Sequence, residues 1–587
     1  MERSCFITKW VNDRWVPVTC ELKKFCSDFV VQEVLKQGGV VPLKSTYVIG
    51  ECYRQFVDKH KAAGDTKETK KPKPNAITDE VLSDLNGLDN EREVVVNCTG
   101  MDKDERKGIH EWLRADFAGA YDSKTDGDNI VVFKAKQQSG SRKRKNWPDG
   151  RPEFLTFTMA KEDMDTYYAI SIISNHVRMN SNSFGTAGTK DRRALTTQRV
   201  SVYHGDAARF HALNDRLKNV RIYDFAYEKD QLKLGKLKGN RFRIVLRDLR
   251  IAGVTDFQDV KDKLKERVAV WQTTGFINYF GTQRFGSIGI GTHDVGRLIL
   301  QKKYKEAVLM LLQERENVKG DLKNALSYLH RNDLDFSGAN KLLCTTYSRN
   351  CIEGKLFSFL ARNNTNFRGA ILSLPRATRS MYVHGYQSSV FNQVVSRRFG
   401  KHGFTVLEGD LGIDGQPLVP SSEGGAIDPY EVCLPLPSHE MVLPQNETGT
   451  WIKDILAKDN INDDSFRSLQ KEFAVGGVLR QCFLKPEDVK IDFSRTYIFD
   501  QLIHPGLATY PDIQEVAIPP RPIGPGGDEL HPDLDRVKMA ATVSFTLPAG
   551  TYATVALREL MHFNTGSTSK YTVANGTDED ACLESTD

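Results

Sequence analysis

The 587-residue chain has no apolar run long enough for a membrane-spanning helix, so no membrane partner is expected. Its opening, "MERSCFITKW", lacks the apolar centre of a secretory signal, and the Asn-x-Thr matches at Asn446 and Asn575 read as chance. The 10 cysteines are scattered, with no Cys-x-x-Cys pair and no partnered His spacing, which argues against a zinc ribbon or a disulfide framework. A reducing, intracellular compartment is the expectation. No His-rich or carboxylate-rich run offers metal ligands. "GTAGTK" has neither the spacing nor the following Ser/Thr of a P-loop. "GIGTHDVG" is misspaced for a dinucleotide fingerprint, and no nucleophile elbow occurs. No metal and no cofactor are therefore expected.

What is present describes a soluble globular protein of two or more domains: 40% hydrophobic residues, 27% charged residues and 22 prolines. The net charge of +5 conceals an uneven distribution. Residues 141–250 carry 23 Lys and Arg against 12 Asp and Glu, so basic charge gathers in one stretch while the remainder is acidic. Such a concentration suits a polyanionic partner, although a solvated surface produces the same pattern.

Along the chain, strands and turns are expected to about Gly50, then a Lys- and Pro-containing linker at 59–77. A small α/β module follows at 78–135. One of its helices places Arg106 and His110 four residues apart on one face, a spacing similar to the Arg-x-x-x-His module that binds single-stranded nucleic acid; an ordinary exposed face fits as well. The consecutive basic residues Arg142, Lys143, Arg144 and Lys145, with Trp147 behind them, suit an import signal, a phosphate-contacting strip or a solvated loop. Apolar spacing predicts a helix over 161–179 and strands at "ALTTQRVSV" and "GKLKGNRFRIVLRDL". Helices are expected over 294–343 and 386–399, loops over 400–465 and 505–537, and a closing strand and helix before the acidic tail.

The most informative stretch is "FGTAGTKDRRALTTQRV", residues 184–200, where Asp191 stands alone among Lys190, Arg192 and Arg193. Neighbouring cations favour the charged form of a carboxylate, which is what a nucleophile needs. A buried ion pair that fixes the turn satisfies the same pattern, and the motif alone leaves both readings open.

Seven blocks together narrow the choice. "GTKDRRALTTQ" resembles the signature of the TruD family of pseudouridine synthases, whose members carry a G-x-K-D-[RK]-[RHK]-A run. So do "SDFVVQEV", "FTMAKEDMDTYYAI", "LGKLKGNRFRIVLRD", "NYFGTQRFG", "YQSSVFNQVVSRR" and "FTLPAGTYATVALREL", in the family's order from about Leu22 to Met561. The basic block and the module before it are similar to the eukaryotic branch.

The resemblance implies an α/β (α+β) architecture: the pseudouridine synthase fold, a curved, largely antiparallel sheet with helices, carrying an inserted TRUD domain. The catalytic domain would comprise residues 1–300 and 526–587, with the insertion at 301–525. The implied activity is isomerisation of uridine in RNA without cofactor or metal. Asp191 would be the nucleophile at the ribose C1′, or the base at C2′ in a glycal route. Lys23 and Lys190 would support it, with Lys24 leaving one residue of ambiguity about which amine reaches the site. Phe29, Asn278, Phe280 and Tyr552 would contact the target nucleotide, and Arg142–Lys145, Arg192 and Arg193 the RNA backbone. Substrates implied are tRNA, with small nuclear and messenger RNA as further targets, in a U-N-U-A-R context. A monomer resident in the nucleus, with a cytoplasmic share, is the family expectation. The chain departs from the family at Ser389, where relatives carry an aromatic. The rival expectation is an RNA-binding or RNA-folding protein that keeps the scaffold without catalysis.

Overall fold

The computed structural model describes residues 2–44, 46–64, 73–86, 93–117, 121–134, 147–148, 150–286, 289–315, 318–419, 427–473, 475–497 and 537–563. Its centre is a nine-stranded sheet built from β1 (Val18–Leu22), β2 (Phe29–Leu35), β3 (Phe154–Glu162), β4 (Phe184–Thr186), β5 (Leu195–Tyr203), β6 (Val220–Glu228), β7 (Leu237–Ile251), β8 (Glu487–Tyr497) and β9 (Val537–Pro548). The strand order is β8-β9-β7-β2-β5-β3-β6, with β1 on β7 and β4 on β5. Only the β2–β5 pair is parallel, so the sheet is largely antiparallel, as the resemblance implied.

β-branched and aromatic residues at alternate positions make these strands two-sided. On one face Phe29 and Val31 of β2, Phe242 and Ile244 of β7, and Val543 and Phe545 of β9 share a core with α3 (Phe257–Thr274) and α5 (Ala553–Met561). Further along the same face, Phe157 and Met159 of β3 and Val200 and Val202 of β5 pack under α2 (Thr166–Val177). Between these two apolar clusters the face turns polar: Glu33, Thr196 and Gln198 are all buried there. The reverse face carries Val30, Leu195, Ala160 and Val245, together with Leu43 and with Ile49 of α1, the helix Thr46–Gly64. A polar seam between two cores is where a site can form.

The sequence expectations meet four corrections. The helix expected over 161–179 begins at Thr166, because Lys161 and Glu162 still pair with β5 and the Asp165 carboxylate caps the backbone N–H groups of Tyr167 and Tyr168. The expected linker begins later than 59, since α1 runs to Gly64. The strand Glu487–Tyr497, placed in the insertion by sequence, is instead an outer strand of the main sheet, held by pairing with β9 that no local pattern encodes. A helix at Glu447–Lys458 also lies inside the expected loop region 400–465.

The small module packs helices Asp79–Asn86 and Lys103–Asp116 on a three-stranded antiparallel sheet around Ile109, Trp112 and Val132. Its Arg106 donates to the carbonyls of Met101 and Gly127 and to Asp128, while His110 pairs with the hydroxyls of Ser123 and Thr125. The segment after Thr292 is mostly helical, organised on the 27-residue α4 (Arg376–His402). Asn392 of α4 is fully buried and joins it to the sheet domain, accepting from the Phe280 N–H and donating to the carbonyls of Phe280 and Cys5.

Candidate active site

The Asp191 loop enters β5 at the polar seam. Its preceding strand, β4, crosses tightly against the chain: a Cβ on Gly185 would stand 2.4 Å from the Leu232 carbonyl oxygen, so only glycine fits. The Asp191 side chain is 32% exposed, and its Oδ2 lies 2.9 Å from the Lys23 ammonium. Lys23 stands just past β1 with a left-handed φ of 54°, and its ammonium is 3.8 Å from the centre of the Phe29 ring. Lys24 turns instead to Glu21, at 3.6 Å, so Lys23 is the amine that meets Asp191.

Lys190 points the other way. Its ammonium makes a 2.9 Å ion pair with Glu33, the two side chains being 2% and 1% exposed. The other Glu33 oxygen accepts from the Arg199 backbone N–H at 3.2 Å. A buried pair of this kind holds the loop on β2 and leaves Asp191 as the outward-facing acid. Of the remaining neighbours, Arg192 is exposed and Arg193 half-buried. Arg142, Lys143, Arg144 and Lys145 lie outside the described residues.

Sequence reasoning missed Lys161. This side chain is fully buried, and its ammonium donates to the backbone carbonyls of Met164 (2.6 Å), Asp191 (2.8 Å) and, at 3.4 Å, Lys190. Burial pulls its pKa down to about 8, against the opposing pull of Asp165 and Asp191. It lies within the "FTMAKEDMDTYYAI" block, but the helix expected there concealed its position at the end of a strand.

A second cluster gathers Asn278, Phe280 and Tyr552. Phe280 lies edge-on to Tyr552, ring centres 6.2 Å apart, and Gly281 lies against the Tyr552 ring, where a Cβ would approach to 3.0 Å. Asn278 and Phe280 are held by Arg480, which no sequence motif singled out and which also ties down the turn before Tyr552. Its guanidinium donates to the Asn278 carbonyl (3.0 Å), the Asn278 amide oxygen (2.7 Å) and the Gly550 carbonyl (2.8 Å), and lies 4.0 Å from the Phe280 ring centre. Burial lowers its pKa to about 10. Asn278 is itself buried, with its amide nitrogen donating to the Gln481 carbonyl.

The two clusters are linked through the core. Phe29 packs on Phe242, Phe242 stacks on Phe545 at 5.4 Å, and the strand bearing Phe545 runs into the turn that ends at Tyr552. Phe29, Phe280 and Asn278 are almost fully buried here, so they serve as floor and frame in this conformation, while Asp191 and Tyr552 are partly open. Among the described residues, no group of three His, Cys, Asp or Glu side chains is gathered as a metal site requires. Among them, too, no helix is long and apolar enough to cross a membrane.

The profile of the TruD family, tRNA pseudouridine synthase D, matches residues 129–560. The chain belongs to that family. It is 31% identical to a Caenorhabditis elegans protein named as a pseudouridine synthase, over 95% of this chain and 92% of that one. The mouse pseudouridylate synthase 7 homolog is 30% identical over 93% of this chain and 78% of its own length, which agrees with the eukaryotic branch read from the sequence. A crystal structure of a TruD protein from Methanosarcina mazei superposes with a TM-score of 0.51 at 20% identity, over 96% of this chain and 98% of that one, and shows the shared fold. With the family goes its enzyme class, an isomerase of uridine in RNA.

Proposed function

We propose that the protein isomerises uridine to pseudouridine in tRNA, with small nuclear and messenger RNA as further substrates, and that Asp191 is the reacting carboxylate. The observation that carries this reading is the partly open Asp191 side chain held at 2.9 Å by Lys23 beside a polar seam. The carboxylate attacks C1′ and expels uracil through N1, or removes the C2′ proton to give a glycal. The freed uracil turns and its C5 bonds to C1′, which expels the carboxylate in the first route and returns the proton to C2′ in the second. The C5 hydrogen is lost and N1 gains one, so the product is an isomer and no redox partner enters.

The protein's own groups serve this sequence in distinct ways. Lys23 faces the carboxylate with a positive charge supported by the Phe29 ring. Lys161 holds the Asp191 backbone from beneath. Tyr552 and the Phe280 edge offer an aromatic wall against which a base extruded from its stack can rest, framed by Arg480. Arg192 and Arg193 flank the loop for phosphate contact. The protein acts as a monomer, and nuclear residence is suggested by the basic run Arg142–Lys145.

The test is Asp191→Asn on transcribed tRNA, with carbodiimide-based detection of pseudouridine. Product is expected to vanish while RNA affinity stays within a few-fold of wild type. Equal product from the variant removes Asp191 from the reaction. No product from the wild-type protein favours the RNA-binding rival.

A further inference from the structure

At the far end of β5 from Asp191 lies a feature that uridine isomerisation does not use. Tyr203 closes that strand, and His204 follows with a left-handed φ of 51°. Successive side chains of an extended strand point to opposite faces, so two adjacent rings do not ordinarily meet. The turn at His204 brings them together: the Tyr203 and His204 rings lie 3.9 Å apart and 14° from parallel. The Trp147 indole covers the other side of His204 at 4.4 Å and 3°. A three-ring stack results, with Tyr203 at one end, 42% exposed and met by the Phe154 ring at 5.5 Å in an edge arrangement.

A cation accompanies the stack. The Arg151 guanidinium lies 5.4 Å from the Trp147 ring centre and 4.8 Å from that of Tyr227. Among the described residues it makes no ion pair, and its charge faces these two rings. The Trp147 N–H is already committed to the Arg151 carbonyl at 2.9 Å, which fixes the indole beneath the arginine. A flat π-surface with a half-exposed terminal ring, and beside it a guanidinium that makes no ion pair among the described residues, is chemically matched to an unpaired nucleobase and its phosphate. The surrounding stretch, residues 141–250, is the most basic of the chain, which suits a polyanion.

We infer that the Tyr203–His204–Trp147 stack, with Arg151, is a binding surface for a single-stranded segment of RNA, remote from the target uridine. This rests on RNA being the substrate. β5 spans nine residues, so the stack lies about 26 Å along the strand from the Asp191 loop. Its contribution therefore falls on RNA affinity and not on bond making.

The experiment uses the full chain, transcribed tRNA and an unstructured RNA oligonucleotide, with a fully paired RNA duplex as control. Tyr203→Ala is expected to raise Kd and KM about tenfold for the tRNA and the oligonucleotide, with kcat at saturating RNA unchanged and duplex binding unaffected. Tyr203→Trp should restore affinity, because a ring and not a hydroxyl is required. Arg151→Gln should weaken binding and reduce the salt slope by about one, whereas Tyr203→Ala leaves the slope as in wild type. Wild-type Kd in Tyr203→Ala overturns the proposal, including in the event that this surface serves a protein partner. So does a loss in kcat at unchanged KM. Binding is read without turnover, so failure here is separable from failure of Asp191→Asn to abolish the product.

Discussion

Lys161→Met isolates the device beneath the Asp191 loop. The ammonium is fully buried and donates to the Met164 and Asp191 carbonyls at 2.6 and 2.8 Å. Two charge-assisted hydrogen bonds contribute about 3–6 kcal/mol. Against them stands the cost of keeping a charge in a buried site: the drop from 10.5 to about 8 corresponds to about 3 kcal/mol. The two nearly cancel, so Lys161→Met should change overall stability by only about 0–3 kcal/mol. Catalysis should suffer more, since the loop loses its anchor directly at Asp191 and a displacement near 1 Å costs about 100-fold in rate.

The pH dependence follows with a definite sign. The groups acting on the Lys161 ammonium are Asp163, Asp165 and Asp191, which favour its charge, and Lys190, which opposes it. Its native pKa is depressed, so the unfolded chain still binds a proton between about pH 8 and 10.5 that the folded protein has released. The charge penalty is thus full below pH 8, and the stability from this group rises across that window. Activity should move oppositely, because the neutral amine is a weaker tether: kcat should fall above about pH 8. Single-turnover pseudouridine formation at saturating tRNA, from pH 6.5 to 9.5, measures this for wild type and Lys161→Met. An alkaline limb that persists in Lys161→Met belongs to another group, and a kcat equal to wild type in the variant refutes the positioning role.

Other perturbations report on neighbouring parts. Lys190→Met strands the Glu33 charge in a site where both partners are at most 2% exposed, and should destabilise by about 3–5 kcal/mol, read as faster heat inactivation. Adding Glu33→Gln should recover much of that loss and leave turnover near wild type, since Lys190 faces away from Asp191. Arg480→Lys should lower kcat/KM at least tenfold with the chain still folded, because a single ammonium cannot serve Asn278 and Gly550 together while lying on Phe280. Equal kcat/KM would remove Arg480 from the frame.

The strands β5, β7 and β9, the small module, the closing helix and the family were legible in local patterns, whereas β3, β6 and β8 were not. Alternating β-branched runs such as "SDFVVQEV", and motif blocks whose spacing survives divergence, report themselves residue by residue. The prominence of Asp191 was equally plain, because one acid among three cations is a compositional fact.

The roles of those cations were not legible. Lys23 and Lys190 are 167 residues apart in the chain, and nothing in either neighbourhood says that the first meets Asp191 while the second pairs with Glu33. Arg480 and Lys161 escaped for the same reason: each acts on backbone carbonyls brought to it by distant segments, and a carbonyl carries no residue signature. The strand Glu487–Tyr497 joined the main sheet only by pairing with β9. Short-range order follows from side-chain chemistry repeated at fixed intervals, whereas the direction of a charge and the partner of an edge depend on where the rest of the chain has come to lie.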